Sequence, residues 1–295
     1  MNGEPKMTGP FRTFLFAPGN HPRRRVKVFE VGADAVILDL EDAVPVAEKV
    51  ETRGAVTDAL KRPRDCPGYV RVNGYGTEFC YGDVLAVAGP WLDGIVLPMV
   101  ETPAQLQSVD WLLAQIERDR GMAPGTIDLM PIIETGRGLD AVTEIAGAGT
   151  RTRRMSFGAA DFTLDVGMRW TVDEGELAHA RAAIVLASRV AGIEPPVDTV
   201  FVHIRDDENL RRSAGTARDF GFQGKLCIHP DQIAPVNGIF TPGAEEVAEA
   251  EKIVAAFEAA EAAGSASIQV DGRFVDYPVV DKARRILALI ERIRG

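Results

Sequence analysis

Short runs of β-branched and aliphatic residues alternate along this chain with longer stretches in which apolar residues recur every three or four positions. The first pattern predicts strands, the second amphipathic helices. Strands are expected at 13–17, 35–40, 68–73, 94–98, 129–133, 154–158, 199–204 and 225–229. Helices are expected at 22–31, 47–60, 81–88, 103–120, 137–146, 173–191, 208–220 and 231–236. Segments such as AVILDL and LMPII are nearly continuous in apolar residues, as parallel strands covered on both faces must be. Eight β/α units within residues 1–239 have the count and length of a (β/α)8 TIM barrel rather than of an open doubly wound sheet.

A second region, 240–295, follows the break FTPG. Thr241 is placed to cap a helix beginning at Pro242, with Glu245 and Glu246 in its first turn. A hairpin turning at Asp271-Gly272 and a last amphipathic helix ending at Arg294 complete it. So small a segment is expected to lack a core of its own and to serve as a lid or oligomerisation element packed on the barrel or on another subunit.

Composition narrows the function classes. The 295 residues carry 43 acidic and 33 basic side chains, a net charge of −10, without a long basic tract. Such a chain is ill suited to gripping nucleic acid or an anionic membrane. Neither a signal-peptide core nor an apolar run of about 18–20 residues is present, and the three cysteines lack disulfide or zinc spacing. A reduced, cytoplasmic protein is expected. The one local basic cluster is Arg23-Arg24-Arg25 with Lys27.

A barrel builds its active site at the C-terminal ends of its strands. There the sequence places Asp39, Glu41 and Asp42 after the second strand, Arg71 and Asn73 at the third, Glu134 at the fifth, Asp161 after the sixth and His229 at the eighth. Glu134 and Asp161, from adjacent strands, offer oxygen ligands without His or Cys, which suits Mg²⁺ or Mn²⁺. Asp39, Glu41 and Asp42 would surround them, holding metal-bound water or Arg71. The planar fork of Arg71 suits a substrate carboxylate or a carbonyl becoming an enolate. A competing reading takes Gly136-Arg137-Gly138-Leu139-Asp140-Ala141 as a dinucleotide fingerprint. The acidic residue that should close the next strand is missing, and the glycines fit a tight turn at the barrel mouth better.

With these residues in place, the chain resembles the citrate lyase β-subunit-like (CitE-like) branch of the HpcH/HpaI aldolase superfamily. The likeness runs from Arg12 to about Arg285, through RTFLFAPGN, DAVILDLEDAV, VRVNG, IIET, FGAADFTLDVG, GFQGKLCIHPDQI, FTPGAEEV and DGRFVDYPVV. It implies a Mg²⁺-dependent lyase that cleaves or forms 3-hydroxyacyl-CoA thioesters of the malyl-CoA and citramalyl-CoA kind from an acyl-CoA and a 2-oxo acid. It also implies Glu134 and Asp161 as metal ligands and Arg71 for the substrate carboxylate. Phe16, Arg23 and Lys27 fall where relatives contact CoA, and Ile228 and His229 where the thioester end is approached. Asp276, flanked by Phe274, Val275, Tyr277 and Pro278, takes the place of an acid/base residue supplied from a neighbouring subunit's lid in a homotrimer or hexamer. Alternatives within the same fold are a citrate lyase subunit working on a carrier-bound citryl group, or a non-catalytic CoA or dicarboxylate binder. Two positions depart from the family pattern: Pro98-Met99 stands where Pro-Lys is usual, and His203 replaces a commoner acidic residue.

Overall fold

The computed structural model describes residues 9–294, so the first eight residues of the expected barrel region lie outside it. The chain divides after Gly238 into two compact units.

In the first unit, eight parallel strands close in sequence order into a barrel: β1 (Thr13–Pro18), β2 (Ala35–Asp39), β3 (Gly68–Arg71), β4 (Gly94–Leu97), β5 (Asp128–Ile133), β6 (Ser156–Phe157), β7 (Val197–Asp198) and β8 (Gly224–Cys227). Pairing of Phe14 with Ala35 and of Thr13 with Lys225 joins β1 to both of its neighbours and leaves no free edge. The surrounding helices are α1 (Arg24–Lys27), α2 (Lys49–Leu60), α3 (Cys80–Val87), α4 (Pro103–Asp119), α5 (Gly136–Asp140), α6 (Val142–Ala146), α7 (Ala159–Asp165), α8 (Ala178–Ala191), α9 (Asp207–Phe220) and α10 (Ile233–Phe240). Thr102 and Gln105 form a capping box that starts α4, with Pro103 at its first position.

The structure departs from the expected elements in several places. The expected seventh strand at 199–204 is a loop, and β7 is only Val197–Asp198. Phe201, Val202 and Ile204 have strand-like character, yet the ladder to β8 ends at Asp198–Lys225, and Val202 and Ile204 are exposed. Thr199 instead turns its hydroxyl to accept the Ala159 N–H at 2.9 Å. The helix expected at 22–31 is one α-turn followed by a 3₁₀ turn at Val28–Glu30. Finally, residues 159–165, outside the expected helices, form α7.

Phe14, Ile37, Tyr69, Val96, Met130, Ile132 and Leu226 fill the barrel interior. At the N-terminal ends of the strands this packing meets a polar plug. Buried Arg154 donates from Nη1 to Tyr69 Oη at 2.9 Å and to Asp128 Oδ2 at 2.7 Å, and lies 4.8 Å over the Phe11 ring. A second buried network ties β7 and β8 to α8: Lys225 Nζ and Arg181 Nη2 donate to Asp198 Oδ2 at 2.6 and 2.9 Å. Burial alone would push the Asp198 carboxyl up, but Lys225 and Arg181 outweigh it and hold it below the ordinary value. Removing one partner of such a plug strands the rest in a dry interior. Arg154→Met is therefore expected to cost about 3–5 kcal/mol and to lower the thermal midpoint by on the order of 10 °C, read by calorimetry.

The second unit contains α11 (Ala244–Ala262), an antiparallel hairpin of β9 (Ile268–Val270) and β10 (Arg273–Val275), and α12 (Tyr277–Arg294). Asp271 and Gly272, both at positive φ (48° and 80°), make the two-residue turn that the sequence suggests. Two expectations are corrected here. The helix begins at Ala244 after Gly243, not at Pro242. The unit also has a small core of its own, in which Phe257, Val270, Val275 and Val280 are buried together. One aromatic ring and three β-branched residues suffice because α11, α12 and the hairpin all face it.

Candidate active site

The C-terminal ends of β2, β3, β5 and β6 bring an acidic cluster around one arginine. Asp39 ends β2 and Arg71 ends β3 directly beside it in register. Arg71 donates from Nε to Asp39 Oδ1 at 2.8 Å and from Nη2 to Asp39 Oδ2 at 2.7 Å, a bidentate fork. Its Nη1 lies 2.9 Å from Glu41 Oε2 and 3.4 Å from Asp42 Oδ2. The ring of Phe16, on β1, sits 5.1 Å beneath the guanidinium. Asp39 also accepts the backbone N–H groups of Glu41 and Ala43, at 2.9 and 3.1 Å, which folds the acidic loop back over it. Below that loop, buried Lys49 donates to the carbonyls of Leu40 and Glu41 at 3.1 and 2.6 Å, and Asn73 donates to Leu40 O at 3.0 Å.

Glu134 follows β5 and is buried. Its Oε1 accepts the Met99 N–H at 2.7 Å. Its other oxygen lies against Gly158, the residue before α7: a Cβ built there would collide with Oε2 and stand 2.7 Å from Glu134 Cβ. Asp161, half-buried, lies in the first turn of α7. Burial drives the Glu134 carboxyl well above the usual carboxylate range; the Met99 N–H and Arg71 oppose this, while Glu41 and Asp161 add to it. Burial likewise pushes Glu41 up to about 8 against the pull of Arg71, helped by Asp42, Asp39 and Asp161. Five carboxyl groups, Asp39, Glu41, Asp42, Glu134 and Asp161, thus share one arginine, and burial more than mutual repulsion disfavours the charged forms of the two glutamates. Among the described residues no three His, Cys, Asp or Glu side chains converge as a complete metal cage. A cation between Glu134 and Asp161 would keep most of its coordination for water and substrate, as Mg²⁺ characteristically does.

The other sequence-selected residues occupy more peripheral places. Arg23 and Lys27 are exposed beside α1, and Arg25 reaches Gly19 O at 3.4 Å. Ile228 and His229 follow β8. His229 Nδ1 accepts the Asp231 N–H at 3.2 Å, so this imidazole caps a 3₁₀ turn. Asp276, in the second unit, accepts the Val279 N–H at 3.4 Å at the start of α12. Phe274 and Tyr277 beside it are exposed and do not enclose it. In the GRGLDA segment, Thr135 caps α5 by accepting the Gly138 N–H at 2.9 Å, a helix start built by a side chain. The hold of the Met99 N–H and of Gly158 on Glu134 escapes a sequence reading because both are made by backbone.

Residues 12–230 match the family model described as HpcH/HpaI aldolase/citrate lyase, and the chain belongs to that family. The relatives agree with the resemblance to its citrate lyase β-subunit-like branch. The chain is 37% identical over 280 residues to a citrate lyase subunit beta from Leuconostoc mesenteroides, covering 94% of this chain and 92% of that one. It is 38% identical over 311 residues to an L-malyl-CoA/beta-methylmalyl-CoA lyase from Cereibacter sphaeroides, covering 98% and 97%. Among solved structures, CitE from Mycobacterium tuberculosis in complex with magnesium, acetoacetate and coenzyme A superposes with a TM-score of 0.79 at 32% identity, covering 95% of this chain and 98% of that one.

Proposed function

We propose that the chain is a Mg²⁺-dependent carbon–carbon lyase for 3-hydroxyacyl-CoA thioesters of the malyl-CoA and citramalyl-CoA type, working by cleavage or by the reverse Claisen condensation. The observation that carries this reading is the convergence of Glu134 and Asp161 with the Asp39–Arg71–Glu41 cage at one barrel mouth. The near full-length likeness to a malyl-CoA lyase supports it. Glu134 and Asp161 fit a hard divalent ion, since both offer carboxylate oxygens and a cation beside Glu134 would offset the burial that disfavours its ionised form. An ion held there supplies Lewis acidity to a substrate carbonyl and offsets charge developing on it.

The chain's own residues supply orientation and proton transfer. Met99 N–H and the bare backbone of Gly158 fix the Glu134 carboxylate. Asp39 and Phe16 lock the Arg71 plane, leaving its second Nη2 N–H for a substrate oxygen. Exposed Arg23 and Lys27, with Phe16, serve the CoA end, and Ile228 and His229 the thioester end. In cleavage a base takes the hydroxyl proton, the carbon–carbon bond breaks with release of the 2-oxo acid, and Asp276 protonates the resulting enolate. In condensation Asp276 removes the proton from acetyl-CoA. The same reading includes a homotrimer or hexamer in which Asp276 of one subunit serves the mouth of another; exposed Phe274 and Tyr277 support a contact with a second copy. A cytoplasmic location accords with the three free cysteines.

Purified protein is expected to release acetyl-CoA from malyl-CoA or citramalyl-CoA with Mg²⁺ and to stop with EDTA. Turnover unaffected by chelation would defeat the reading. The likeness to a citrate lyase subunit beta supports a second reading, dependence on a carrier protein. Inactivity on free CoA thioesters, restored by an acyl carrier, would decide for that one. Gly158→Ala is expected to displace the Glu134 carboxylate and weaken Mg²⁺ binding about 10–100-fold, measured calorimetrically, with the fold retained.

A further inference from the structure

Met99, just past β4, has φ +55°, a left-handed backbone that a side chain disfavours and that glycine would adopt freely. Two observations give this conformation a use. Its N–H donates to Glu134 Oε1 at 2.7 Å, so the residue is fastened to the proposed metal ligand. The residue is 42% exposed, and its Cβ stands 3.9 Å from where a Cβ on Gly74 would be, in the turn that follows Arg71 and Asn73. Met99 is thus anchored between the Glu134 carboxylate and the turn after Arg71, and carries an uncharged, flexible thioether there. The other carboxyl groups of the cluster, Asp42 and Asp161 among them, offer no cation to a second substrate carboxylate, and Arg71 is already engaged by Asp39 and Glu41.

We propose that Met99 is a specificity-determining residue that lies against the substituent of the 2-oxo acid. It selects monocarboxylic acids with a short alkyl group over acids with a second carboxylate. The inference rests on the lyase reading above. Methionine has three rotatable bonds and a polarisable sulfur, so it moulds to small apolar groups of different length. It offers nothing to a second carboxylate, which would enter an acidic mouth without a partner and be rejected for that reason.

The Mg²⁺-loaded full chain should be titrated calorimetrically with glyoxylate, pyruvate, 2-oxobutyrate and oxaloacetate, and its condensation of each with acetyl-CoA measured. Pyruvate and 2-oxobutyrate are expected to exceed oxaloacetate by at least about tenfold in both affinity and kcat/KM. Met99→Lys should shift the oxaloacetate-to-pyruvate ratio by at least about tenfold toward oxaloacetate. Met99→Gly should relieve the backbone and reduce the preference for alkyl acids over glyoxylate by a similar factor. Equal use of oxaloacetate and pyruvate by the parent protein, or an unchanged ratio in Met99→Lys, overturns the assignment while leaving the lyase reading standing. Failure of all four acids to bind or react with Mg²⁺ present overturns both.

Discussion

Glu134→Gln is expected to lower kcat/KM for thioester cleavage by about 10³-fold or more, a loss of about 4 kcal/mol of transition-state stabilisation. The variant should nevertheless fold. The amide oxygen still accepts the Met99 N–H, and a neutral group suits a site where burial disfavours the charged carboxylate. The metal-free variant should therefore melt no lower than the parent. The parent should gain about 2.7 kcal/mol from Mg²⁺ at a hundred times its dissociation constant, a rise of roughly 5–10 °C, and the variant should gain almost none. Loss of activity with a lowered metal-free melting point would point to misfolding instead, and retained turnover would remove Glu134 from the metal site.

The second large effect is expected at Arg71. Arg71→Met leaves buried Asp39 with only the Glu41 and Ala43 N–H groups and no counter-charge, and leaves Glu41 facing only other carboxylates. A stability loss of about 3–5 kcal/mol should follow. Arg71→Lys is the more informative variant. It keeps the charge but cannot present a planar fork to Asp39 and a further donor to substrate together. KM for the 2-oxo acid in condensation should rise on the order of 10²-fold while the protein remains folded. An unchanged KM would mean that Arg71 only holds the acidic loop.

The barrel was legible because parallel strands covered on both faces have little choice of residue: AVILDL and LMPII can be buried in few other ways. The same signal misled at 199–204, where Phe201, Val202 and Ile204 look like a strand but belong to the mouth, beyond the last ladder pair at Asp198. Side-chain chemistry at the ends of apolar runs was also legible, so Asp39, Glu41, Arg71, Glu134 and Asp161 could be named together. The way other groups aim those side chains was not legible. Met99 contributes an amide at positive φ, Gly158 contributes the absence of a Cβ, and Phe16 contributes a surface under a guanidinium. None of these has a residue-type signature until the strands are registered.

The plug of Arg154, Asp128 and Tyr69 has a kinetic consequence. With the floor of the barrel shut by buried side chains, every molecule must enter and leave through the one end where the acidic cluster sits. On the proposed mechanism the small acid lies deepest, against Glu134 and Arg71, and the thioester with its long nucleotide tail lies across the opening. Traffic is then sequential by geometry: the thioester departs before the acid after cleavage, and the acid must precede it in condensation.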